Sequence, residues 1–152
     1  MSDQAAADSL DEFVNTIIEY SGLELSVDVS TYDDQVDVEI RGNDIPLLLG
    51  HNGELLNALE YLATKILGRH IPSRIKINFD SEGYRKMREK ELTLMAQHAA
   101  ERVRATKRPF TFEPMTPLER RIVHVALAEQ TDIKTESQGE GEDRKVIVFL
   151  AN

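Results

Sequence analysis

Apolar positions along the chain alternate between helical and extended spacing. Leu10, Phe13, Val14, Ile17 and Ile18 predict a helix over Ser9–Tyr20 that lays one stripe on a core and ends at Ser21-Gly22. Leu23, Leu25, Val27 and Val29 then alternate with polar residues. Tyr32-Asp33-Asp34-Gln35 turns the chain, and Val36, Val38 and Ile40 alternate again, giving a hairpin with one buried face. Arg41-Gly42-Asn43-Asp44 breaks that pattern, with Asn43 or Asp44 placed to cap a short helix through Leu49. Leu55, Leu56, Leu59, Leu62, Ala63, Ile66 and Leu67 mark a further helix to about Gly68, and Ile71, Ile75, Ile77 and Phe79 supply a third strand.

A long helix is predicted over Ser81–Thr106. Tyr84, Met87, Leu92, Met95, Ala96, Ala99 and Val103 face one way, and Arg85, Lys86, Arg88, Lys90, Arg102 and Arg104 crowd the rest. Glu82, Glu89, Glu91 and Glu101 stand at pairing distance from these cations, and Thr106-Lys107-Arg108-Pro109 ends the helix. Phe110-Thr111-Phe112 reads as a short strand. Thr116, Pro117 and Glu119 then start a helix with a capping box and a proline at the first helical position. Ile122, Val125 and Ala126 are expected to face the core, which leaves Arg120 and His124, four apart, on one exposed face. Ile133–Ser137, a glycine-rich turn and Arg144–Phe149 form a terminal hairpin.

The 152 residues can bury one sizeable core or two small ones, and 41% hydrophobic with 30% charged residues is ordinary for a globular chain. With no cysteine, thiolate catalysis, disulfides and Cys-ligated zinc are excluded. No apolar run approaches the roughly 20 residues that cross a bilayer, and the start of the chain is acidic where a signal peptide is basic, so a cytoplasmic location and no membrane partner are expected.

Net charge is −9, but it is unevenly spread. Residues 1–45 carry 12 acidic side chains against Arg41 alone, whereas the stretch from Lys65 to Arg121 carries 14 basic against 7 acidic, a net of +7. That basic block follows Gly50-His51-Asn52-Gly53, two glycines three apart at a helix N-terminus. Glycines admit a ligand close to the backbone, and the unpaired N–H groups of a first helical turn favour an anion such as a phosphodiester.

The order helix, strand, strand, short helix, Gly-x-x-Gly, helix, strand resembles the type II KH domain, a three-stranded sheet with three helices that binds single-stranded nucleic acid. In that family the loop clamps about four backbone nucleotides. Gly50 and Gly53 match. The resemblance implies an apolar groove lined by Ile45, Leu48 and Leu49 on one side and Val38 or Ile40 on the other. His51 and Asn52 stand where such loops usually carry Lys or Arg, which places more of the affinity on backbone N–H groups. The Arg120-x-x-x-His124 spacing is the signature of the R-3-H domain, a small nucleic-acid-binding sheet-and-helix module. With Pro114-Met115-Thr116-Pro117 ahead of it, Arg121 within it and Arg144-Lys145 behind it, the stretch resembles the C-terminal half of the bacterial Jag/KhpB family.

The resemblance covers about Asp8–Phe149 and implies an α+β fold of two small domains. Residues 1–80 correspond to the KH type II domain, and 81–152 to a connector helix with the R-3-H domain. It implies a non-catalytic, post-transcriptional RNA-binding protein, with Gly50, His51, Asn52, Gly53, Arg120, Arg121, His124, Arg144 and Lys145 as RNA-binding residues. The expected partner is single-stranded RNA, with single-stranded DNA left open, and either a separate small KH protein or a second copy as protein partner. Family members are linked to RNA regulation affecting envelope growth and division. Many carry a further N-terminal domain and charged linker that nothing here matches, so that domain's functions are not expected.

No cofactor, metal or small-molecule substrate is expected. A nuclease using His51 or His124 as acid or base beside Arg120 lacks a second group at a fitting spacing, and His51, His70, His98 and His124 contain no recognisable metal-ligand pair. The remaining alternative is a protein-interaction module that docks a basic partner through the acidic segment 1–45.

Overall fold

The computed structural model describes residues 2–152 of an α+β chain. It divides into two compact units, with the boundary between Arg85 and Lys86.

In the first unit, α1 (Asp3–Ser21) begins earlier than the sequence pattern predicts. Ser2 Oγ accepts from the amide of Ala5 at 3.1 Å, and Ala6 and Ala7 extend the buried stripe of Leu10, Val14 and Ile18. Gly22, at φ 71°, closes the helix in the left-handed region. Strands β1 (Leu25–Tyr32) and β2 (Gln35–Gly42) pair antiparallel around a two-residue turn in which Asp33 takes φ 50°. After α2 (Ile45–Leu49) and α3 (Glu54–Leu67), β3 (Lys76–Asp80) adds parallel to β2, giving the sheet order β1-β2-β3. Ile71 and Ile75 precede that strand rather than belonging to it, yet both are buried. Val36, Val38, Ile40 and Phe79 meet Leu10, Val14, Leu56 and Ala63 in one core.

Two expectations are corrected in this unit. The residues assigned to an apolar groove are core: Val38, Ile40, Ile45 and Leu48 are buried, and only Leu49 of that set retains partial exposure. Asp44 does occupy the N-cap position of α2, but its carboxylate does not cap the helix. It accepts instead from the amide of Glu24 at 2.6 Å, tying the loop after β2 to the start of β1.

In the second unit, α4 (Tyr84–Thr106), whose first two residues belong to the first unit, buries Leu92, Ala96, Ala99, Ala100 and Val103. The stripe expected from the sequence is wider than the buried one: Met87 and Met95 are exposed, and Tyr84 is part of the first unit's core. Strands β4 (Phe110–Thr111), β5 (Ile133–Gln138) and β6 (Lys145–Leu150) form an antiparallel sheet in the order β4-β6-β5.

Helix α5 (Pro117–Leu127) has the capping box that the sequence predicts, Thr116 Oγ1 accepting from the Glu119 amide at 3.2 Å. Its core face differs from the expected one. Glu119, Val123 and Leu127 point inward, Ile122 and Ala126 pack at the margin, and Val125 is 64% exposed.

Candidate nucleic-acid interface

The Gly50–Gly53 loop is built from backbone conformations that side chains resist. Gly50, Asn52 and Gly53 all have positive φ, at 32°, 57° and 73°. The Gly50 amide donates to Pro46 O at 2.9 Å and closes α2, while the Gly53 amide donates to Leu49 O at 2.6 Å, so the loop is clamped at both glycines. A Cβ on Gly53 would lie 2.5 Å from the ring of Tyr84, so this glycine is required by space as well as by φ. Asparagine tolerates the left-handed conformation at position 52, and its Nδ2 approaches His51 Nε2 at 3.3 Å. Gly53 caps α3, and among the described residues no carbonyl accepts the amides of Leu55 or Leu56 in its first turn.

The cations and histidine predicted around α5 are only partly brought together. Arg120 Nη1 donates to Met115 O at 3.1 Å, and the Met115 amide donates to Arg144 O at 3.2 Å, so Arg120 and Arg144 approach the two sides of one residue's backbone. The Arg144 guanidinium is steadied by Gly139 O at 2.7 Å. Arg121 is exposed and, among the described residues, in no ion pair.

His124 departs from the expected exposed face. Its Nδ1 lies 2.6 Å from Thr135 Oγ1 and its Nε2 2.9 Å from Ser137 Oγ, both on β5. Burial, and then the Arg120 charge, push its pKa below the ordinary 6.5, so the ring is neutral at pH 7 and ties α5 to the sheet. Lys145 lies on the other side of the sheet, since Val146 and Val148 face the helices and side chains alternate along a strand.

Among the described residues four of the 14 cations of the basic block are held in ion pairs. Arg74 pairs with Asp3 and Asp34, Arg85 with Glu60, Arg88 with Glu91 and Glu119, and Arg104 with Asp132. Among the described residues no cluster of His, Asp and Glu is placed to hold a metal ion, and no helix is long and apolar enough to cross a membrane.

Residues 90–150 match the R-3-H domain family. Over 141 residues the chain is 33% identical to RNA-binding protein KhpB of Clostridium symbiosum, covering 91% of this chain and 64% of that relative. Over 138 residues it is 35% identical to RNA-binding protein KhpB of Bacillus subtilis (strain 168), covering 90% of this chain and 66% of the relative. Over about nine tenths of its length the chain is thus similar to the KhpB proteins. It spans a little under two thirds of the length of these two relatives, and 42% of the 26% identical KhpB of Streptococcus pneumoniae serotype 2.

Two residues that sequence reasoning passed over shape the loop. Tyr84 forms the wall behind Gly53, and Arg85 reaches the side chain of Asn57 in the first turns of α3 as well as Phe79 O at 3.0 Å. The only signal for either is their position at the opening of the long helix, where both read as ordinary helix-face residues.

Proposed function

We propose that this chain binds single-stranded RNA as a post-transcriptional regulator. In this reading the first unit is a type II KH domain whose Gly50–Gly53 loop takes the phosphate backbone, and the second adds Arg120, Arg121 and Arg144 as phosphate contacts. The observation that carries it is the loop backbone, with positive φ at Gly50, Asn52 and Gly53 directly ahead of a helix start where, among the described residues, no carbonyl accepts the amide of exposed Leu55. The relatives' name, RNA-binding protein, supports it. His124 acts in this reading as a positioning residue, since both its ring nitrogens are taken by β5 hydroxyls.

The test is fluorescence anisotropy of a labelled mixed-sequence single-stranded RNA, titrated with the full chain between about 50 and 200 mM salt. Neutralising about four phosphates gives a log–log slope of about −3 for a single strand. An RNA that shows no binding at the lowest salt overturns the reading.

A further inference from the structure

Outside the loop and the Arg120 face, the second unit carries an aromatic and cationic groove at the opposite edge of its sheet. Helix α4 has, beside its buried stripe, a second row formed by Leu94, Met95, His98 and Arg102, with Leu94 58% and Met95 41% exposed. This row, the rings of Phe110 and Phe112, and Glu91, whose carboxylate is paired with Arg88 at 3.1 Å, line a groove of about 520 Å³. A second hollow, about 420 Å³, shares Arg102 and Phe110 with the first and is bounded by Thr106, Arg108 and Thr111. Each volume lies in the range of small-ligand sites, roughly 300–1,000 Å³.

The chemistry at the junction is specific. Phe110 stands edge-to-face on buried Phe112, with ring centroids 5.0 Å apart, and the Arg102 guanidinium lies 5.6 Å from the Phe110 centroid. The adjoining turn carries Lys107 and Arg108. Its shape is fixed by the Lys107 amide donating to Val103 O at 2.8 Å and the Arg108 amide to Thr106 Oγ1 at 3.3 Å. Among the described residues neither of these cations nor Arg102 is in an ion pair, whereas the neighbouring Arg104 is committed to Asp132. The negative end of the α4 dipole accounts for cations in this turn. It does not account for the partly exposed ring and apolar floor that they bracket.

Resting on the RNA reading above, we infer that this groove is a second RNA contact that stacks one or two unpaired bases on the Arg102/Phe110 surface and holds the flanking phosphates with Lys107 and Arg108. Every base offers a π face to an aromatic ring or a guanidinium plane, so such a contact is tolerant of sequence. An acidic peptide would satisfy the cations but leave the Leu94, Met95 and Phe110 floor without a partner. The sheet order separates this contact from His124: β4 forms one edge and β5, which holds His124, the other.

The experiment compares wild type, Arg102→Glu/Arg108→Glu and Phe110→Leu by anisotropy with a labelled RNA of about a dozen nucleotides, across about 50–200 mM salt. Circular dichroism melts verify that each variant is folded. The charge reversal weakens binding by about tenfold and makes the log–log slope shallower by about one, the Arg108 phosphate contact being lost. Phe110→Leu keeps an apolar contact on Phe112 and weakens binding severalfold with the slope unchanged, because it removes stacking and not charge. RNA carrying 4-thiouridine cross-links to the peptide spanning 94–112. If wild type binds RNA and both variants bind equally well, the groove inference is overturned while the RNA reading stands. If wild type binds no RNA, both fall. If polyglutamate binds through Arg102 and RNA does not, the surface is an acidic-protein dock and the inference is overturned.

Discussion

Arg88 Nε lies 2.9 Å from Glu119 Oε1, with both side chains nearly buried, and this pair sets the phase of α5 against α4. Glu119 does two jobs: its other oxygen accepts from the Thr116 amide at 3.3 Å to complete the capping box. Burial opposes the Arg88 charge, but the hydrogen bonds and charges of Glu119 and Glu91 outweigh it and hold the guanidinium above its ordinary pKa. Arg88→Met should therefore cost about 3 kcal/mol, because it strands a buried carboxylate. Arg88→Met/Glu119→Gln should recover part of that loss, since glutamine still closes the capping box. Urea unfolding decides it: strictly additive effects would mean that the two residues are not coupled.

That pair also explains where the sequence misled. The apolar run Ile122, Val123, Val125, Ala126 and Leu127 fits two adjacent helix faces, and hydrophobicity alone does not choose between them. The choice is made by Glu119, a charged residue that pattern reading puts outside and that Arg88 draws inside, carrying Val123 and Leu127 with it and leaving Val125 in solvent. His124 then turns toward Thr135 and Ser137, a contact across 11 and 13 residues that no local spacing announces. In the first unit, by contrast, the element order was legible because alternation over Val36–Ile40 and helical spacing over Leu10–Ile18 each admit one reading. The groove beside α2 was misplaced because residues fit for a groove and residues fit for a core have the same chemistry.

His124 makes stability depend on pH. Its folded pKa is depressed, so the unfolded chain binds more protons at this site, and stability contributed by the neutral ring falls as pH drops below about 6.5 until the folded pKa is passed. His124→Gln should remove that component from urea midpoints measured from pH 7.5 down to about 5. A midpoint profile identical in the variant would show that the ring titrates alike in both states.

The two loop glycines differ in what they resist. A Cβ on Gly53 meets the Tyr84 ring at 2.5 Å, whereas one on Gly50 meets only Leu47 O at 3.3 Å. Gly53→Ala is expected to lose about 1–3 kcal/mol from left-handed strain and overlap, and Gly50→Ala at least as much from its backbone alone, because φ 32° with ψ −128° lies outside the left-handed region that side chains tolerate. Thermal melts measure both losses, and a Gly53→Ala variant as stable as the wild type would mean that Tyr84 yields without cost.

Because alanine at position 53 confounds folding with binding, the central claim is best tested between the glycines. Asp at position 52 tolerates the left-handed backbone that Asn52 adopts, and His51 is exposed, so His51→Asp/Asn52→Asp places two carboxylates at the loop without a new backbone shape. Anisotropy of a short single-stranded RNA with wild type and this variant should show a loss of about tenfold or more in affinity at about 50 mM salt. A folded variant that binds RNA as tightly as the wild type would contradict the Gly50–Gly53 loop as the phosphate-binding site.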